Sequence, residues 1–515
     1  MSNRRATYLV LAQALCLAVA AERVAAEPSS TVLRQLTYVT VGDVEPPKMQ
    51  MQDAEMVAFV SDGDVLGLGT STVQRQIYLW TDSPDGIGTL LQITNGTDCE
   101  SYDVTRPTDT TSAGGRPLIL AFMSTCDLDP GVGNGDGNAE VFFYEIESAV
   151  FHQITDTQPP VVNAEPFVSD SGRCVVFRSN GNLQNNSESH PFYDPEHPGP
   201  GYTNPDGSDE IFIYSKIESQ PNYPYNAVFT QISNGPAGTT SSHPVVGGYY
   251  FPRQCQTSAY QSDHDQLGNG NVGQFIYMYR MPASAIEEFV HSEEIPLGVP
   301  PGIYRNPFIS SPSPFARGPH IVFESEPDLW NNGSVGTNIF DYRVFHPRMT
   351  QYSNVDENSV VKRPTVADGG GVIALDSNAE ILNQKHPSRF GQEPPYNPDK
   401  NFEIFRFKGR RRATQITYSE NCDNTHTSLK DDGRRIAFLS TCDLVPGSNP
   451  TGMPQIFLWG LERHHSPLLV PGVCEEANGC CMYTRQTGAT CYTPIVGKKA
   501  KPPRPNCLDK PQGCH

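Results

Sequence analysis

The chain of 515 residues is short of positive charge: 37 Lys and Arg stand against 57 Asp and Glu, a formal net charge of −20. Nucleic-acid binding needs a basic footprint, so that class of partner is excluded. Acidic polysaccharides are disfavoured too, unless a local basic pocket overrides the field of the whole chain. Nucleophile and phosphate motifs are also missing. No Gly-x-Ser-x-Gly elbow occurs, which excludes an accompanying α/β-hydrolase domain. Neither a His-Glu-x-x-His pair nor a phosphate loop is present. With no activated nucleophile encoded, no hydrolysis of generic esters or peptides is expected. Beyond the first residues there is no apolar run near the roughly 20 residues a membrane span requires, so no span is expected.

Those first residues read as a targeting segment. Arg4 and Arg5 precede the apolar stretch from Tyr8 to Ala21, and Val24-Ala25-Ala26 offers a small-residue cleavage site before Glu27. Residues 1–26 are therefore expected to be a signal peptide, and the mature chain to be secreted or periplasmic and monomeric. Leu15 is too bulky to make Cys16 a lipid-anchoring cysteine. Cleavage takes Arg4, Arg5 and Arg23 away with Glu22, leaving −22. Of the 13 cysteines, all but Cys16 remain, an even number that points in an exported chain to disulfides.

What is present is a repeat. Asp431 to Trp459 reads as a turn, a β-rich run (Ile436 to Ser440), a Pro/Gly/Asn loop and a second β-rich run (Ile456 to Trp459). Leu118 to Tyr144 is nearly the same sentence. Other copies begin at Val57, Val175, Ile321 and Val372, with a degenerate one around Tyr249 to Phe251 and Phe275 to Tyr279, making seven. Most copies end on a Gln-Ile-Thr-like marker, such as Gln92, Gln153, Gln231, Gln351 and Gln415. A short run before each turn, such as Pro166 to Ser169 or Pro364 to Val366, brings the count to four strands per copy. Four-stranded units repeated radially predict an all-β, seven-bladed β-propeller over residues 33–470. A β-sandwich does not explain seven copies of one unit. Gln35-Leu36-Thr37 is a marker with no copy of its own, and is expected to close the seventh blade beside Ile456. Leu468 to Val470 competes for that place.

The pattern from Pro166 to Ser179, with Arg434-Arg435-Ile-Ala-Phe and the Gln-Ile-Thr endings, resembles the TolB-type, WD40-like propeller repeat. The likeness runs from about Leu33 to Val470 and implies the fold rather than a function. No separate α/β domain fits between the signal and the first copy, so TolB's mode of partner binding does not carry over.

Cys99 and Cys422 follow the marker entering a blade, and Cys126 and Cys442 end the second strand of that blade. Topology brings those positions to one face, which predicts Cys99–Cys126 and Cys422–Cys442. Cys255 is read at the equivalent strand end of the fourth copy, without a partner in its entering link; Cys174 is a candidate. Residues 471–515 hold six cysteines and a basic, Pro-rich run, and read as a disulfide-stapled tail.

Loops with oxygen side chains two apart, at Asn134/Asp136/Asn138/Glu140, Asn204/Asp206/Ser208/Glu210 and Asn397/Asp399/Asn401/Glu403, are the places where calcium could bind. Turn chemistry before a strand is the preferred reading, and no metal ligand, cofactor or catalytic residue is assigned. His190, His197 and His386 lie in two long loops whose spacing fits no zinc pattern. Lys408 to Arg412 reads as a solvated hairpin tip. His243, His320 and His426 lie near inner strands. The expected function is that of a non-catalytic scaffold for a protein or glycan partner. The alternative is a carbohydrate lyase- or hydrolase-like propeller enzyme, which requires His, Arg and carboxylates to converge at the channel mouth.

Overall fold

The computed structural model describes residues 31–494, except 51–55, 67–73, 83–87, 109–117, 184–203, 216–227, 248–256, 269, 271, 281–289, 296–301, 311–318, 330–332, 334, 345–347, 380, 382–396, 410–412, 431, 462–474, 478–479 and 485–489. The signal segment, both histidine loops, Cys255 and the competitor Leu468 to Val470 therefore lie outside the described residues.

Seven antiparallel four-stranded sheets form a propeller. Blade 1 comprises Lys48–Met49, Met56–Ser61, Gln76–Thr81 and Thr89–Gln92; blade 2 comprises Ser101–Tyr102, Ile119–Ser124, Glu140–Glu145 and Val150–Gln153. The innermost strands of blades 3 to 7 are Asn163–Val168, Ser241–Gly247, Tyr304–Ile309, Val361–Val366 and Asn424–Leu429. The first strand, Thr31–Gln35, pairs with Gln455–Leu461 as the outer strand of blade 7, so the start and the end of the repeat array close the ring together. Asp82 of blade 1 reinforces that seam by accepting Arg34 and Arg435, each at 3.3 Å.

Two expectations need correcting. The fourth blade is complete, with an outer strand at Val290–Ile295 and its second strand at Thr257–Ser262 rather than Tyr249 to Phe251. Thr257-Ser-Ala-Tyr-Gln-Ser is less apolar than Tyr-Tyr-Phe, yet Ala259 and Tyr260 are its fully buried centre. Cys255 thus precedes that strand instead of ending it. The Gln-Ile-Thr marker, moreover, starts where the outer strand stops: the last strand residue is Gln92, Gln153, Gln231, Gln351 or Gln415.

Hydrogen bonding explains the marker. Its Thr or Ser hydroxyl accepts the backbone N–H that opens the third strand, as in Thr94 to Ile77 (2.9 Å), Thr155 to Val141 (2.9 Å), Ser233 to Ile211 (2.8 Å) and Thr37 to Ile456 (2.9 Å). Its Gln donates Nε2 to the carbonyl of that same Thr or Ser, at 2.7 Å for Gln35 and 2.8 Å for Gln153. A buried backbone donor is costly to leave unmatched, so these residue types recur wherever the outer strand turns away.

Between the second and third strands, cross-strand aromatic pairs recur at one register position. Phe59–Tyr78, Phe122–Phe142, Phe177–Phe212, Tyr260–Tyr277, Phe323–Phe340 and Phe438–Phe457 stack with centroids 5.6 to 6.1 Å apart. Blade 6 substitutes Leu375 opposite Phe405. Each aromatic pair contributes roughly 0.5–1.5 kcal/mol beyond its area, and the flanking Val, Ile and Ala residues pack against neighbouring blades.

Both expected disulfides are present: Cys99–Cys126 with Cα atoms 5.1 Å apart and Cys422–Cys442 at 5.4 Å. Cys174 is disulfide-bonded as well. A compact unit spans Leu33–Trp459. Beyond it, the tail carries an antiparallel sheet of Glu475–Ala477, Cys480–Thr484 and Thr490–Pro494. Among the described residues no helix is long and apolar enough to cross a membrane.

Gly96 has a specific reason to be glycine: a Cβ there would meet Cys99 Sγ at 2.4 Å and Cys126 Sγ at 2.7 Å. Gly96→Ala is expected to lower the melting temperature and to leave free thiols at both cysteines, read by alkylation and peptide mapping. Replacing Cys422 and Cys442 together by Ala is expected to lower stability by about 3 kcal/mol in a urea titration.

Candidate functional site: the central channel

A cavity of about 500 Å³ occupies the centre of the ring and is lined by the inner strands of all seven blades. Its residues are placed by a backbone irregularity that repeats. In blades 3 to 7 the inner strand slips by one residue against its partner, between Ala164 and Phe167, Ser242 and Val245, Arg305 and Phe308, Lys362 and Thr365, and Thr425 and Ser428. Inside each bulge one non-glycine residue has a left-handed backbone: Glu165 (φ 55°), His243 (52°), Asn306 (52°), Arg363 (50°) and His426 (57°). Asp103 (53°) is their counterpart in blade 2. Blade 1 has Pro46 at this position, whose ring forbids positive φ.

A non-glycine residue held left-handed costs on the order of 1–3 kcal/mol, so the surroundings must enforce it. They do so through the preceding blade. The backbone N–H of Glu165 donates to Asp103 Oδ2 (3.4 Å), and that of His243 to Glu165 Oε2 (2.6 Å). Asn306 N–H donates to Gln261 Oε1 (2.9 Å), Arg363 N–H to Glu324 Oε1 (2.8 Å) and His426 N–H to Asp376 Oδ1 (3.3 Å). Five successive blade junctions are latched this way, and each latch aims a polar side chain at the channel.

Ion pairs occupy most of the charges so collected. Arg363 Nη2 lies 2.5 Å from Asp376 Oδ2, and its Nη1 donates to His426 Nε2 at 2.8 Å. His426 therefore accepts at Nε2 and carries its proton on Nδ1, facing Thr425 Oγ1 at 3.0 Å. Burial, with Arg363, Lys48 and Lys362 nearby, pushes its imidazole down to about 3. Asp376 is pushed up to about 6 by burial, which outweighs the opposing pull of Arg363. Arg178 holds Asp209 at 2.8 Å and Glu165 at 3.7 Å, while His243 Nδ1 stands 3.8 Å from Glu165 Oε1. Arg106, buried against Asp170 at 2.5 Å, lies over the rings of Phe167 and Phe308. Lys48 is open to channel water but enclosed by the inner strands, and that enclosure lowers its ammonium pKa.

Of the three histidines singled out in the sequence, His243 and His426 reach the channel. His320 does not: it opens the second strand of blade 5, buried, with Nδ1 at 2.8 Å from Asp341. Asp103, Glu165, Asn306 and Arg363 escaped the sequence reading, although a polar residue before proline in Glu165-Pro166, His243-Pro244, Asn306-Pro307 and Arg363-Pro364 was a usable signal.

The loops considered for calcium turn their glutamates inward. Glu140 accepts Thr155 Oγ1, Thr157 N–H (2.7 Å) and Asn163 Nδ2 (3.0 Å). Glu403 accepts Ser419 N–H (2.7 Å) and Asn424 Nδ2 (3.1 Å), and Glu210 accepts Gly235 N–H (2.6 Å). These carboxylates tie the end of one blade to the start of the next, and Asp206 accepts Ser208 N–H in an ordinary turn. Lys408 ends the third strand of blade 6, and Arg410 to Arg412 lie outside the described residues.

The folded His426 imidazole protonates near 3 against 6.5 for an unperturbed one, so between those values the unfolded chain binds a proton that the folded chain refuses. Stability drawn from His426 is therefore lost as pH falls from about 6.5. Asp376 acts oppositely between 3.8 and about 6, masking the effect in the wild type. Comparison with His426→Gln isolates it: between about pH 7.5 and about pH 4.5 the melting temperature should shift in the variant's favour. Asp376→Ala should destabilise by about 3 kcal/mol or more, since it strands Arg363 and unlatches blade 7.

No protein-family model and no curated protein matches the sequence. Among solved structures, oligogalacturonate lyase from Vibrio parahaemolyticus is similar at 10% identity and a TM-score of 0.43, over 82% of this chain and 99% of that one. Acylaminoacyl peptidase from Pyrococcus horikoshii follows at 10% and 0.42, over 82% of this chain and 52% of that one. TolB from Acinetobacter baumannii matches at 10% and 0.33, over 76% and 77%.

Proposed function

We propose that this chain is an exported, TolB-like β-propeller whose central channel binds a small polar ligand without transforming it. The observation that carries this reading is the convergence of unlike polar side chains, from six separate blades, in one cavity of about 500 Å³. That volume falls within the range of small-molecule sites. Export is supported by the two blade disulfides, which suit an oxidising compartment.

Catalysis requires a base with a free lone pair and a pKa near the working pH. His426 offers neither, because Arg363 occupies its acceptor nitrogen and its imidazole is held neutral. Asp376 and Glu165 are occupied by guanidinium groups and backbone N–H latches. A second reading, elimination from a uronate-containing sugar, is favoured by one observation: His243 lines the cavity with an exposed side chain, 3.8 Å from Glu165.

Thermal shifts of the purified protein against neutral oligosaccharides, oligouronates, amino acids and nucleosides test the first reading. At least one class should raise the melting temperature, and His243→Trp, which fills the channel from an exposed position, should abolish that shift. No response from any class, or a shift that survives His243→Trp, would overturn it. Formation of an unsaturated product from oligouronates that disappears in His243→Ala would install the second reading instead.

A further inference from the structure

The charges of the channel do not all cancel within the protein. Arg75 is shared by Glu100 (2.9 Å) and Glu45 (3.3 Å), Arg178 by Asp209 (2.8 Å) and Glu165 (3.7 Å), while Arg106 meets Asp170 and Arg363 meets Asp376. Lys48 and Asp103 have no such partner. Neither forms an ion pair among the described residues; Asp103 accepts only the long bond from Glu165 N–H, and both side chains are open to the channel. They stand on adjacent blades and feel one another's field without touching.

One arc of the wall, in blades 3 to 5, is apolar, whereas blades 6 and 7 carry Thr365 and Ser428 at the same register position. The register position that carries Lys48 in blade 1, opposite Ala58, carries Phe167, Val245 and Phe308 in blades 3, 4 and 5, opposite Val176, Ala259 and Val322. Phe167 and Phe308 meet edge to face with centroids 6.0 Å apart. The cavity thus presents one unpaired cation and one unpaired anion on one arc and, on another, an apolar patch of Phe167, Val245 and Phe308 bordered by the Asp170-paired Arg106.

Resting on the ligand-binding reading above, we infer that the channel takes a zwitterion with an apolar body, of the class of a free α-amino acid with a large hydrophobic side chain. Its carboxylate meets Lys48, its ammonium meets Asp103, and its side chain lies on Phe167, Val245 and Phe308. Single-charge ligands fit worse. An anion drawn to Lys48 faces the fields of Asp103 and Glu45 uncompensated, and a cation drawn to Asp103 faces Lys48. A neutral ligand displaces the water around both charges and replaces it with nothing.

Isothermal titration of the full chain with L-phenylalanine, 3-phenylpropionate and 2-phenylethylamine tests this, since the three share a body and differ in charge. L-Phenylalanine should bind one per chain, and each analogue at least tenfold more weakly, the loss of one charge-assisted contact corresponding to about 1.4 kcal/mol. Lys48→Met should weaken L-phenylalanine at least tenfold and, by removing the opposing ammonium, leave 2-phenylethylamine bound at least as tightly as before. Asp103→Asn, which keeps an acceptor for Glu165 N–H, should weaken L-phenylalanine and, by removing the opposing carboxylate, leave 3-phenylpropionate bound at least as tightly as before. Equal affinity of either analogue overturns the zwitterion and leaves the channel a binding site. So does silence from all three probes while an oligosaccharide gives a shift that His243→Trp removes. L-Phenylalanine binding indifferent to both substitutions overturns the placement, and silence from every class overturns the binding reading as well.

Discussion

Seven sheets around one axis crowd their inner strands, and the hydrogen bond that manages this crowding organises the rest of the molecule. Each inner strand from blade 3 onward bulges by one residue, and that residue sits left-handed with its N–H captured by the blade before it. A bulge bends its strand and re-aims a side chain. Here it leaves a backbone donor facing the adjoining sheet, so the donor that the bulge frees is also the one that fixes neighbouring blades in register. The acceptor changes with position. In blades 4, 5 and 6 it is Gln261, Glu324 or Asp376 on the second strand; blade 3 has Arg178 at that place and uses the carboxylate of Glu165 instead.

A second set of bonds holds the other ends of the strands. The Thr or Ser of the marker accepts the opening N–H of the third strand, and a buried Glu, Gln or Asn at the start of that strand gathers the residues that follow. Glu140 reaches across to Asn163 and Glu403 to Asn424, so the link between blades is bonded to both. At the seam Gln455 performs the same task for the N-terminal strand, accepting Thr37 Oγ1 at 2.8 Å and Val39 N–H at 3.0 Å. Calcium-like spacing in these loops follows from the same need for oxygen side chains to satisfy turns and strand ends.

The channel inherits its chemistry from the latches. The residue at each left-handed position is polar, so the ring collects Asp103, Glu165, His243, Asn306, Arg363 and His426 at the channel. Most are then engaged by their neighbours. The charges left over, Lys48 and Asp103, belong to the two blades that depart from the pattern: blade 1, where proline removes the left-handed residue, and blade 2, where the latch series begins.

Local pattern alone determined the all-β class, the seven copies, closure by the N-terminal strand and two disulfides. The class, the copies and the disulfides follow from period-two apolar runs, turn residues and markers lying within about 40 residues of one another, a range in which repeat signatures are legible. Closure follows from one marker without a copy and one copy without a marker, 419 residues apart at Thr37 and Ile456. The second strand of blade 4 was missed because Thr257 to Ser262 owes its burial to neighbouring blades and not to its own hydrophobicity. The channel could not be read in the same way. Arg363 and His426 are 63 residues apart, and Glu165 and His243 are 78 apart, and the strand alternation that places core residues is broken by the bulge at those positions. Only closure of the ring brings them together, and only then does it emerge which charges are paired and which are not.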